Sequence, residues 1–210
     1  METEIKLKIK RSLFDNYERE LHLHPDFIKF EDKYLASNGF TSFNADEIKE
    51  FCYGVTFYQY HFVFGREYEI LIKNFNDEIL KIKIKSYLGI KKHKTHELYV
   101  KIINAIWNLY FAKQVASFVK EFEAGESINI GEVNINPEGV IISVSKLLKQ
   151  EKKLIPWEDV ALRKYISYVS IYSKENAMDF NRGYSFKKDW NTFVVYNVIK
   201  NILDNKKLNK

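Results

Sequence analysis

From Leu21 to His24 apolar and polar side chains alternate, and after Pro25-Asp26 the apolar-rich run Phe27-Ile28-Lys29-Phe30 follows. Alternation with period two puts the apolar side chains on one face of a strand. A proline followed by an acid is turn chemistry, because proline presets φ and the carboxylate bonds the backbone ahead of it. The stretch therefore predicts a hairpin. The same pattern returns from Val133 to Ile142 around Pro137-Glu138, a shift of 112 residues that carries Leu21 onto Val133. At that shift Phe43-Asn44-Ala45-Asp46-Glu47-Ile48 falls on Ile155-Pro156-Trp157-Glu158-Asp159-Val160. Two blocks in one register predict a duplicated unit.

Aromatic and β-branched residues fill Val55 to Phe64, Tyr68 to Lys73 and Ile79 to Tyr87, punctuated by Gly65-Arg66 and Asn76-Asp77, and read as further strands of the first half. Glu4 to Lys10 reads as an edge strand. The second half offers Ile166 to Tyr172 and a short run at Ala177 to Phe180, so one hairpin there is expected to be lost or trimmed. Each half ends in a helix. Leu98, Ile102, Ala105, Leu109, Ala112, Ala116 and Val119 recur at intervals of three and four, a buried stripe that broadens and drifts toward Gly125, with Thr95 as the expected cap. Its first half should seal the first unit and its last turns run toward the second. Asp189 is the expected cap of the closing helix, which covers about 190–204.

Antiparallel strands closed by a C-terminal amphipathic helix, repeated once, resemble the pleckstrin-homology-like superfold over about 20–124 and 126–205. Pro137-Glu138-Gly139-Val140, the apolar-Pro-Trp-acid stretch Ile155 to Val160, and Asp189-Trp190-Asn191 before the last helix resemble landmarks of bacterial members. The resemblance implies two tandem units, 1–124 with a long helix over about 95–123 and 125–210, each an antiparallel β sandwich or partly closed barrel capped by one helix. It also implies binding or scaffolding without a fixed ligand, because the superfold hosts lipid, peptide and protein recognition alike. Lipid-binding members hold inositol phosphates with Lys and Arg beside the first strand connection. Here those turns are His24-Pro25-Asp26 and Asn136-Pro137-Glu138, short and acidic, which argues against phosphoinositide binding at that place.

Composition narrows the class. With 210 residues, 46% apolar, 16% aromatic, 8 Gly and 3 Pro, the chain has enough apolar content for a core and is neither disordered nor collagen-like. The longest uncharged helical stretch, Ile102 to Ala112, is far short of the ~20 apolar residues a membrane span needs. The charged N-terminus shows no signal peptide and Cys52 is the only cysteine, so a cytoplasmic protein without internal disulfides is expected.

The formal charge of +5 is unevenly spread: residues 81–120 hold nine lysines against Glu97 alone, whereas 31–80 are net acidic. In Lys81-Ile82-Lys83-Ile84-Lys85 the lysines share one face. With Lys91, Lys92 and Lys94 they form a basic strip, fit either to keep an edge strand soluble or to meet an anionic membrane, a nucleic-acid backbone or an acidic protein. Nucleic acid ranks last, since no stacking aromatics interleave the lysines. The aromatics between Tyr53 and Phe64 are too many to bury in one small barrel, so the second repeat or a partner should cover them; Tyr53, Tyr58 and Tyr60 are the candidate interface residues.

Catalysis finds little support. His22/His24 and His93/His96 are pairs without a third ligand at diagnostic spacing, and HExxH and CxxC are absent. Cys52, between Phe51 and Tyr53 in an expected strand, reads as a small hydrophobe. The adjacent acids Asp46/Glu47 and Glu158/Asp159 read as strand-entry polar residues on opposite faces. The expectation is a non-catalytic binding or scaffold protein whose partner is another protein, with no cofactor or metal. The alternative is a peripheral module that meets an anionic membrane through 81–94.

Overall fold

The computed structural model describes residues 4–12, 15–32, 39–60, 63–146 and 149–208. Alternation translates directly into pleated strands. β1 (Ile5–Ile9), β2 (Arg19–His24), β3 (Phe27–Glu31) and β4 (Phe40–Asn44) form an antiparallel sheet in that order, with Leu21, Leu23, Ile28 and Phe30 all buried. A single 3-10 turn, Ala45–Glu47, leads into β5 (Ile48–Tyr60), β6 (Val63–Asn74) and β7 (Ile79–Tyr87), a second antiparallel sheet. The aromatic run is thus a hairpin and not one strand: β5 ends at Tyr60 and β6 starts at Val63, while Gly65 and Arg66 lie inside β6. Gly65 is needed there because a Cβ would stand 2.5 Å from the Tyr58 ring and 2.9 Å from the Ser86 carbonyl oxygen.

The closing helix begins earlier than Thr95. α1 (Lys92–Ile106) starts from Lys91, which takes the left-handed conformation at φ 54, and Thr95 already donates its amide to the Lys91 carbonyl. A π turn follows at Trp107–Phe111, marked by the Ala112 amide donating to the Trp107 carbonyl, and then α2 (Ala112–Glu123). One extra residue in a turn rotates all later positions about the axis. That is why the stripe drifts: Tyr99, Ile102 and Ile106 are buried before the π turn, Tyr110 and Phe111 within it, and Val115 after it. Gly125, at φ +87, closes the helix, as a left-handed cap requires.

The chain divides into compact units at Met1–Ala112 and Lys113–Lys210, twelve residues before the expected boundary at 124/125. Side chains of α2 explain the shift: the Phe122 ring meets Trp157 edge-on at 5.3 Å, and Glu123 accepts a hydrogen bond from Asn205. In the second unit β8 (Ile128–Ile130), β9 (Val133–Asn136), β10 (Gly139–Lys146) and β11 (Lys149–Pro156) make one antiparallel sheet. β12 (Val160–Lys164), β13 (Tyr168–Ser173) and β14 (Asn181–Ser185) make another, followed by α3 (Thr192–Leu208). All three strands of the second sheet are kept in shortened form. Ala177 to Phe180 is a turn and the strand is Asn181–Ser185, because the Asn176 side chain accepts the Asp179 amide and donates to the Asp179 carboxylate. Asp189 accepts the Ser185 amide at 2.6 Å, pinning the loop ahead of α3.

The two units share the order of four strands, three strands and a helix. Registers agree at the 112-residue shift: His22 faces Lys29 and Phe27 faces Asn44, as Asn134 faces Ile141 and Gly139 faces Pro156. The Ala45 amide donates to the Asp26 carbonyl at 2.8 Å, and the Trp157 amide to the Glu138 carbonyl at 3.4 Å. Even the carbonyl preceding each hairpin turn is treated alike. Tyr110 Oη donates to His24 O at 2.8 Å, and Trp157 Nε1 to Asn136 O at 2.9 Å. No helix among the described residues is long and apolar enough to cross a membrane.

Candidate functional site

β7 is an edge strand, and its period-two sequence sorts its side chains. Leu80, Ile82, Ile84 and Ser86 are buried, while Lys81, Lys83 and Lys85 lie on the opposite face. The lysines are not equivalent there. Across the register Lys83 meets Glu69 at 2.8 Å and Glu67 at 3.4 Å, and Lys85 meets Glu67 at 3.1 Å. The bond to Glu69 holds the Lys83 ammonium above its ordinary pKa. Burial opposes the charge of Glu67, yet Lys85 and Lys83 together keep its carboxyl below the usual value. Lys81, opposite Leu71, is exposed and belongs to none of the described ion pairs.

Backbone direction follows the same parity. The Leu88 amide donates to Phe64 O on the β6 side, and the Lys85 amide donates to Arg11 O on the other. Because the β6–β7 register runs without a shift, the amides of Lys81 and Lys83 share the outward direction of Lys85. Among the described residues no strand pairs with this outer edge. A groove of about 540 Å³ runs beside it, lined by Arg11, Ser12, Asp32, the three lysines and Tyr87. The Arg11 guanidinium is fixed over it by a 2.6 Å hydrogen bond to Asp32 O.

The basic strip therefore splits. Lys91, Lys92 and Lys94 stand apart from the β7 lysines at the start of α1, with no acid in its first turn and no described ion pair. The neighbouring end of the β5–β6 hairpin holds the exposed aromatics. Among the described residues these are Phe57, 67% exposed, and Phe64, 55% exposed, whereas the expected Tyr53 and Tyr58 are half-buried. Tyr53 is half-buried and stacked on Phe51 at 5.6 Å, with its phenol pKa pushed up by burial. Tyr58 packs over Gly65 near Tyr87, and burial first, then Tyr87, raises it to about 12. The side chain of Tyr60 lies outside the described residues. Parity along β5 was the available signal: Phe57 shares a face with Arg66 opposite it and with Phe64, and that face runs past the part of the sheet which α1 covers.

Several of the remaining candidate groups are held in local hydrogen bonds, ion pairs or the core. His22 lies between Glu4 at 2.8 Å and Glu20 at 3.1 Å, and His24 Nδ1 accepts the Asp26 amide. No group of three metal-ligating side chains occurs among the described residues. Cys52 is buried. Asp46 and Glu47 lie on the 3-10 turn and not in a strand, where Glu47 accepts the Asn44 amide. Asp159 accepts from Ser173 Oγ at 2.5 Å and from the Glu175 amide, bonds that hold its carboxyl below the usual range. Compared with family models, curated proteins and solved structures, the chain matches none.

Proposed function

We propose that this chain is a non-catalytic binding module of two tandem pleckstrin-homology-like units, and that it takes another protein as an extended segment along the outer edge of β7. The observation that carries the reading is the pair of outward amides at Lys81 and Lys83 beside a groove rich in cations. A strand added there gains main-chain hydrogen bonds, and Arg11 and Lys81 favour an acidic segment. The shared order of strands and helix in the two units, with matching hairpin registers, supports the pleckstrin-homology-like reading. Engagement of Asp159, Glu47, His22 and Cys52 in turns, ion pairs and core supports a role without catalysis.

The test uses proteins captured from the native cell by the full chain. Lys81→Pro deletes one outward amide without touching the ladder to β6, and Lys81→Ala removes the charge alone. A specific partner should be weakened by Lys81→Ala and lost with Lys81→Pro, and adding it should slow hydrogen exchange at Lys81 and Lys83. A captured partner indifferent to both substitutions would refute the edge as its site.

A further inference from the structure

A second surface of the first unit has a different chemistry. Phe57 and Phe64 are joined by Leu88, 49% exposed, and Ile90, 44% exposed, from the loop between β7 and α1. That loop is built and anchored. Its Leu88 amide donates to Phe64 O at 2.9 Å, the Ser86 hydroxyl donates to Ile90 O at 3.0 Å, and Gly89 lies against the Phe64 ring. Leu88 takes φ 52 and Lys91 φ 54, conformations that L residues with side chains adopt only when the surroundings impose them. Strain thus holds apolar side chains in water. A groove of about 410 Å³ lies between Phe57, Phe64 and Lys92.

The segments that form this patch carry charge of one sign, and no acid lines its groove. No Asp or Glu occurs between Glu50 and Glu67 or between Glu78 and Glu97, whereas Arg66, Lys91, Lys92 and Lys94 all fall inside those limits. Three of these cations sit at the N-terminal end of α1, where the helix dipole disfavours them and no first-turn acid compensates. An anion from outside would relieve both. A second copy of this chain would bring like charges together, because a two-fold contact apposes the same patch.

We infer that this end of the unit docks on an anionic lipid bilayer, with Phe57, Phe64, Leu88 and Ile90 entering the headgroup–acyl boundary and Arg66, Lys91, Lys92 and Lys94 meeting lipid phosphates. An interface that asks only for apolar depth and negative charge matches exposed phenylalanines beside cations and a groove with no acid in its lining. The inference stands apart from the β7 edge, whose lysines are largely matched by Glu67 and Glu69.

The full chain is sedimented with phosphatidylcholine vesicles with and without phosphatidylserine. Binding should require phosphatidylserine and weaken with salt. Phe57→Ser combined with Phe64→Ser should weaken it roughly tenfold or more, and Lys91→Ala with Lys94→Ala roughly fivefold for each charge removed. Lys81→Ala should leave it unchanged. Phe57→Trp supplies a direct reporter: the indole emission it adds to that of the wild type should move to shorter wavelength when anionic vesicles are added. The inference is overturned if the wild-type chain stays in the supernatant at low salt, or if the double serine variant binds like wild type. It is equally overturned if the emission added by Phe57→Trp does not move, or if the serine substitutions abolish a dimer or oligonucleotide binding while no vesicle binding exists.

Discussion

Replacing Asp15 by Asn keeps the shape of a side chain and deletes its charge. Arg19 starts β2 with only 3% of its side chain exposed, and its Nη1 donates to Asp15 Oδ2 at 2.5 Å and to Tyr17 O at 3.3 Å. Removing the charge of one partner weakens the compensation of a buried cation, at a cost of up to about 3–5 kcal/mol. Asn still offers a carbonyl to Arg19 and to the Tyr17 amide, neutral bonds worth about 1 kcal/mol. The net loss is therefore about 2–4 kcal/mol, and the melting temperature should fall by roughly 5–15 °C. The pH dependence has a definite sign. Burial opposes the charge of Asp15, but the Tyr17 amide and the Arg19 guanidinium outweigh it and hold the carboxyl below its ordinary value of 3.8. A group depressed in the folded state stabilises fully above its unfolded pKa and loses that contribution as pH falls through the folded one. The difference between wild type and Asp15→Asn should thus be complete at neutral pH and shrink below about pH 4. Urea titrations followed by circular dichroism at both pH values measure it. A loss under about 1 kcal/mol at neutral pH, or a difference that persists undiminished in acid, would refute the reasoning.

Three further outcomes are expected. In Gly139→Ala the new methyl meets the Ile155 carbonyl oxygen and lies 2.8 Å from its carbon, so β10 and β11 must separate; urea denaturation should show a loss of about 2–4 kcal/mol, larger than an ordinary strand substitution. Tyr110→Phe and Trp157→Phe each remove the side-chain donor to the carbonyl before a hairpin turn, and calorimetry should register about 1 kcal/mol for the first and more for the second, which also loses packing against Phe122. Leu88→Gly should raise stability by about 0.5–1 kcal/mol by relieving the positive φ, yet weaken vesicle binding, so the two measurements should move in opposite directions.

Much of the framework was legible in short stretches. Alternation and Pro-acid turns are local, and a displacement of 112 residues aligned both hairpins and both strand entries because the same side-chain parity serves the same core face twice. The alignment failed where local chemistry stopped deciding. A hairpin with β5 at 13 residues and one with β12 at 5 read alike in composition, since strand length depends on what each strand pairs with. The Thr95 cap was misplaced for a related reason: Lys91 starts the helix through a backbone conformation that its side chain does not advertise.

The sequence alone determined where the two Pro-acid hairpins turn, that the central segment is rich in lysine and that the aromatic run before it holds no formal charge, for these need only local residue pattern and turn chemistry. Tertiary structure decided what those residues present. Pairing β6 with β7 set Glu67 and Glu69 against Lys83 and Lys85, pointed the Lys81 and Lys83 amides outward, and left Phe57 and Phe64 exposed beyond the helix-covered part of the sheet. Register and cover are relations between distant segments, and neither is written in the residues of one strand.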